Sequence, residues 1–90
     1  MVAANDPRDQ YLDYLQEHGK QTSGPRLRVF DAISGGAAEF TAEELTLRLK
    51  HHPDLRLSRV TVYRTCQELV DAGLLWTSVI AGRVKYHRLW

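Results

Sequence analysis

One change of rhythm constrains this chain more than anything else in it. Val62, Cys66, Leu69 and Val70 recur at helical spacing between Ser58 and Ala72. After Gly73 the period drops to two, with Leu75, Thr77 and Val79 on one face and Trp76, Ser78 and Ile80 on the other. Ser58 is a strong helix N-cap and Gly73 a natural stop, so a helix of roughly four turns runs almost directly into a strand. A second alternating run sets Val84 and Tyr86 against Arg83, Lys85 and His87, and Ala81-Gly82 separates the two runs. Gly82 can adopt a positive φ, so the pair reads as a β-hairpin, although Ala-Gly is a weaker turn signal than Asn-Gly.

Upstream, three further helices are predicted. Tyr11, Leu12, Tyr14 and Leu15 give a short helix over Gln10 to His18, stopped at Gly19. Ser23-Gly24-Pro25 opens a second, capped by Ser23 or Gly24, that buries Leu27, Val29, Phe30 and Ile33. Beyond the Ser34-Gly35-Gly36-Ala37 break, Thr41-Ala42-Glu43-Glu44 is a capping box for a third helix to about Lys50, packed through Leu45 and Leu49 and closed by Pro53 and Asp54. His51-His52 suits the partial negative charge of that helix end. The fold class is mainly α with a small β-hairpin, in the order of a winged helix-turn-helix. The domain spans residues 10–90, behind a flexible tail at 1–9.

Several function classes drop out. Ninety residues make one small domain with room for a single core. No apolar run approaches the roughly 20 residues of a membrane span, and the N-terminus lacks a signal-peptide pattern, so the expected address is cytoplasmic with no membrane partner. The lone Cys66 allows no internal disulfide or multi-cysteine zinc site and falls on the buried helix face, as a small core residue. No nucleophile stands with a base and an orienting acid, and there is no glycine-rich phosphate loop, so an enzyme is not expected.

The net charge of +1 hides a strong asymmetry. Four acids (Asp6, Asp9, Asp13, Glu17) face Arg8 alone near the N-terminus, whereas from Arg56 onward six cations face two acids, a local balance of +4. The helix from Ser58 lies in the basic half, and its outward side carries groups that read DNA. Arg64 can donate two hydrogen bonds to guanine, Thr61 and Tyr63 can bond phosphate or touch a thymine methyl, and Gln67 can pair with adenine. Arg59 adds charge beside them, and Arg83 and Lys85 in the hairpin can hold the DNA backbone. The same residues also suit a winged helix that binds protein without reading DNA, because fold alone does not fix function.

Three segments carry a resemblance. Val60-Thr61-Val62-Tyr63-Arg64-Thr65 with Leu69 and Ala72-Gly73-Leu74-Leu75, Ser23-Gly24-Pro25-Arg26-Leu27, and Phe40-Thr41-Ala42-Glu43-Glu44-Leu45 occur in order and resemble conserved motifs of the ferric uptake regulator (Fur) family. The resemblance covers about residues 10–90. It implies a bacterial transcription regulator that binds AT-rich palindromic operators on double-stranded DNA as a homodimer, usually repressing metal-uptake or stress genes. By position it makes Tyr63 and Arg64 the main base readers, puts Thr61 and Arg26 on phosphates, and offers Lys20 to the minor groove.

Members of that family continue into a dimerisation domain with His and Cys-x-x-Cys metal ligands, so this chain reads as the DNA-binding part of a longer regulator, with a naturally short form as the alternative. No cofactor is evident within it. A divalent metal (Fe, Zn or Mn) is expected only of a full-length form. The family places a His before the capping box and a carboxylate late in the second wing strand. Here Glu39 and His87 stand in those places, exchanged in kind, and would form an incomplete metal site.

Overall fold

The computed structural model describes residues 6–50 and 58–90. Its elements are α1 (Pro7–Glu17), α2 (Gly24–Ser34), β1 (Glu39–Phe40), α3 (Ala42–Leu49), α4 (Arg59–Asp71), β2 (Leu75–Ile80) and β3 (Arg83–Arg88). The expectations for His51, His52, Pro53 and Asp54 lie outside the described residues. Each predicted cap closes as its chemistry requires. Ser23 Oγ accepts from the Arg26 amide and Ser58 Oγ from the Thr61 amide, and Thr41 and Glu44 satisfy each other's amides at 3.1 and 2.8 Å.

The first helix begins earlier than its apolar pattern. Asp6 accepts from the Arg8 amide at 2.9 Å and Pro7 occupies the first turn, so Pro7 to Asp9 are helical rather than part of a tail. Hydrophobic spacing missed that turn because no residue in it is buried.

The sheet also has a strand that alternation could not reveal. β1 pairs antiparallel with β3, Glu39 opposite His87 and Phe40 opposite Tyr86, so the order is β1-β3-β2. Two residues are too short to display a period. Their pairing ties the wing to the start of α3, and Phe40 and Tyr86 stack with ring centroids 5.6 Å apart.

The core draws on every helix: Tyr11 and Leu15, Val29, Phe30 and Ile33, Ala42, Leu45 and Leu49, and Val62, Cys66 and Leu69. Leu74, Leu75 and Tyr86 close it from the sheet side. Leu12, Tyr14, Leu27 and Val70 are only half-buried. Phe30 lies between Tyr11 and Trp90, stacked on both. Arg88 carries the end of β3 to the end of α2, where its guanidinium donates to the carbonyls of Ile33, Ser34 and Gly36 at 2.8 to 3.1 Å. Arg48 donates to Ala32 at 3.0 Å. These cations satisfy acceptors that a helix C-terminus otherwise leaves open.

The hairpin turn puts both central residues at positive φ, Ala81 at 52° and Gly82 at 78°, as a type I′ turn requires. Alanine is disfavoured there because its Cβ approaches the following carbonyl, at a cost of roughly 1 kcal/mol. Ala81→Asn is therefore expected to raise unfolding stability by about 0.5–1 kcal/mol, seen as a higher urea midpoint with unchanged slope.

Candidate nucleic-acid interface

Helix α4 is fixed by its inner face and presents its outer one. Val62, Thr65, Cys66, Glu68 and Leu69 are buried. Burial pushes the Cys66 thiol up to about 12, which leaves it protonated and packed as a small core residue. Arg59, Val60, Tyr63, Arg64 and Gln67 are exposed, with Thr61 half-buried beside Ser58. Arg59 and Arg64 have no side-chain hydrogen bond or ion pair among the described residues. Gln67 is drawn along the helix to Asp71, with Nε2 donating to Oδ1 at 3.4 Å. Thr61 and Ser58 share a hydroxyl hydrogen bond of 3.1 Å. Tyr63 donates its hydroxyl to Glu43 Oε1 in the first turn of α3, at 3.2 Å.

Two recesses flank this row. One, lined by Ser23, Pro25, Arg26, Thr61, Arg64 and Thr65, joins the start of α2 to α4. The other lies between α3 and the wing and brings Glu43, Tyr63 and Arg83 around one opening. In the wing, Arg83 is exposed and unpaired among the described residues, whereas Lys85 Nζ sits 3.5 Å from Glu39 Oε2. Arg26 thus borders Thr61 and Arg64 in the first recess, Tyr63 borders Arg83 in the second, and Lys20 lies outside both.

Lys20 and Arg26 converge on Glu68, one of the two acids in the basic half of the sequence. Glu68 is 3% exposed, and its carboxylate accepts from Tyr11 Oη at 2.8 Å, from Arg26 Nε and Nη2 at 3.1 and 3.3 Å, and from Lys20 Nζ at 3.1 Å. Arg26 also donates to the Gln21 carbonyl at 2.8 Å, and its side chain is only 19% exposed. Burial alone would raise the Glu68 carboxyl, but the hydrogen bonds from Arg26, Tyr11 and Lys20 outweigh it and hold the group below its ordinary value. The Tyr11 phenol is raised, first by burial and then by Glu68. A signal for Glu68 was present: it lies three residues after Thr65 and beside Leu69, at the edge of the buried stripe. A charged residue there needs partners, and Tyr11, Lys20 and Arg26 supply them from distant positions.

Glu39 and His87 do meet, as cross-strand neighbours with His87 Nδ1 3.9 Å from Glu39 Oε1. The other ring nitrogen shares a 2.7 Å hydrogen bond with Ser78 Oγ, and Trp76 stacks on the imidazole at 3.8 Å. Lys85 competes for the same carboxylate. No group of three His, Cys, Asp or Glu residues fit to hold a metal ion occurs among the described residues. The pair supplies two donors and is not a complete metal site by itself.

The Glu68 cluster makes a testable demand on stability. Its depressed carboxyl contributes stability that is full above the unfolded-state value near 4.3 and is lost as pH falls through the lower folded-state value. Glu68→Gln is expected to cost about 3 kcal/mol at pH 7, because it takes the carboxylate from the half-buried Arg26 and Lys20. The gap from the parent chain should narrow steadily below about pH 4 in denaturant titrations.

No family model and no curated protein matches the sequence. Solved structures do match its fold. The ferric uptake regulator of Pseudomonas aeruginosa, determined with manganese, superimposes with a TM-score of 0.71 at 19% identity, over 87% of this chain and 59% of that one. A manganese uptake regulator gives 0.70 at 24% identity, over 89% and 59%. The Vibrio cholerae ferric uptake regulator gives 0.69 at 24%, over 87% and 60%. The chain thus spans about three-fifths of the length of these regulators. Four helices and a three-stranded antiparallel sheet, in this order and at these likenesses, give the chain the winged-helix fold found in ferric and manganese uptake regulators.

Proposed function

We propose that this chain is the DNA-binding part of a Fur-like bacterial transcription regulator and that α4 reads the major groove of double-stranded DNA. The observation that carries this reading is the outer face of α4. Arg59 and Arg64 stand exposed and unpaired among the described residues on a helix whose other face is locked into the core. Arg64 and Tyr63 read bases, Gln67 joins them by exchanging Asp71 for adenine, and Arg59, Thr61, Arg83 and Lys85 hold phosphates. Lys20 and Arg26 contribute through donors that Glu68 leaves unused. The guanidinium commits three of its five N–H groups within the protein, so two remain for a phosphate.

In this reading the protein is a cytoplasmic, metal-responsive regulator and not an enzyme, acting on AT-rich palindromic operators as a homodimer and repressing its targets. Among the described residues no helix is long and apolar enough to cross a membrane. A single winged helix covers one half-site, so tight operator binding calls for a symmetric pair.

Salt and sequence dependence test the proposal. Arg64→Ala should cost about 1–3 kcal/mol on a preferred duplex and flatten base preference at one position. Arg83→Ala should weaken all duplexes alike and lower the slope of log affinity against log salt by about 1. A specific observation favours one rival, a protein-binding winged helix: Leu47 and Ile80, 59% and 61% exposed, line an open groove between α3 and the wing. That rival predicts duplex binding indifferent to sequence and unaffected by Arg64→Ala.

Glu39 and His87 are proposed as two ligands of a divalent metal site completed by groups outside the described residues. Titration with Zn²⁺ or Mn²⁺ should change the fluorescence of Trp76, which stacks on His87, and both Glu39→Ala and His87→Ala should weaken that response. Equal affinity in the parent chain and both variants would sink this assignment.

A further inference from the structure

We propose that Glu43 holds Tyr63 as a hydrogen-bond acceptor toward DNA, so that this tyrosine selects a base edge that donates. The inference deepens the DNA-binding reading and rests on it. A phenol has one O–H to give, and here it is given to Glu43 Oε1 at 3.2 Å. Only the oxygen lone pairs then remain for a partner in the groove. Turning the hydroxyl toward a base acceptor would break a bond to a carboxylate, which is stronger than one between neutral groups.

The surrounding geometry assigns that carboxylate to Tyr63. Glu43 and Glu44 both lie in the first turn of α3, where the helix end favours negative charge. Glu44 is committed to the Thr41 amide at 2.8 Å, so Glu43 is the one free to face α4. Both Glu43 and Tyr63 line the recess between α3 and the wing, and Tyr63 is 39% exposed there. The phenol is raised, first by partial desolvation and then by the bond to Glu43, which keeps its proton in place at neutral pH.

The chemistry of the groove turns this into a choice of base. Adenine N6 and cytosine N4 donate in the major groove, whereas guanine O6 and N7 and thymine O4 only accept. An acceptor tyrosine favours adenine or cytosine at its position. Glutamine at position 43 removes the obligation, because an amide can donate to the phenol oxygen as well as accept from it.

The test uses the 90-residue chain and a duplex selected by that chain from a randomised pool, with every base varied in turn at fixed salt. The parent chain should show one position, distinct from the one flattened by Arg64→Ala, where adenine or cytosine is preferred about three- to tenfold. Replacing that adenine by purine, or that cytosine by 2-pyrimidinone, should abolish the preference. Tyr63→Phe, Glu43→Gln and Glu43→Ala should each abolish it too, and the two Glu43 variants should bind all duplexes somewhat tighter, having lost a negative charge. Without DNA, the Tyr63 ring carbon resonances should titrate at lower pH in Glu43→Gln than in the parent chain.

Preference surviving in either Glu43 variant overturns the inference, as does an unshifted Tyr63 titration. Preference surviving in Tyr63→Phe but lost with Glu43 also overturns it and makes Glu43 itself the base reader. Failure of the DNA-binding reading is recognisably different: the parent chain then prefers no duplex at all.

Discussion

A single buried carboxylate holds the helical part of this molecule in register. Glu68 projects from the inner face of α4 and is met by Tyr11 from α1, Lys20 from the loop after it, and Arg26 from the first turn of α2. Each bond crosses at least 42 residues of sequence. Each needs α4 packed against a segment distant in sequence, and all of them together need α1, α2 and α4 assembled. Such a cluster is an expensive way to gain stability, because each charge gives up water, and it tolerates no missing partner. Its value is geometric: it couples the rotation of α4 to the placement of α1 and α2, while the apolar contacts of Val62, Cys66 and Leu69 supply most of the attraction.

The same cluster sorts the cations of the chain. Lys20 and Arg26 serve Glu68, Arg48 and Arg88 serve the open carbonyls at the end of α2, and Lys85 faces Glu39 across the sheet. Among the described residues Arg28 and Lys50 are exposed without a partner elsewhere, and Arg59, Arg64 and Arg83 are left outward on α4 and the wing. A net charge of +1 thus conceals three outward cations on α4 and the wing that have no partner among the described residues. That concentration, rather than total charge, is what a polyanion would meet. Tyr63 stands within this row, and its tie to Glu43 brings a negative charge into the positive field.

Much of the architecture was legible because it rests on local chemistry. Ser23, Thr41 and Ser58 cap their helices through bonds to amides three positions on, and Gly73 and Gly82 take the positive φ that their turns require. Val62, Cys66 and Leu69 share a face because a helix has 3.6 residues per turn, whatever surrounds it. The outward row of Arg59, Tyr63, Arg64 and Gln67 follows from the same arithmetic. What escaped lay outside the hydrophobic pattern, although Asp6 and Pro7 carried a capping signal of their own. β1 is two residues long and exists only because β3 lies beside it, and Asp6 to Asp9 begin α1 without burying anything.

By itself, then, the sequence determined the four helices, the hairpin, the caps of α2, α3 and α4, and which side of α4 is free, since caps, turns and periodicity act within a few residues. Only the tertiary structure decided which charges are spent and which remain. Glu68 looked like any glutamate on a helix until Tyr11, Lys20 and Arg26 closed around it, and Glu43 gained a role only when α3 brought it to Tyr63. Electrostatic partners are chosen by distance in space, and distance in space is what a linear chain does not record.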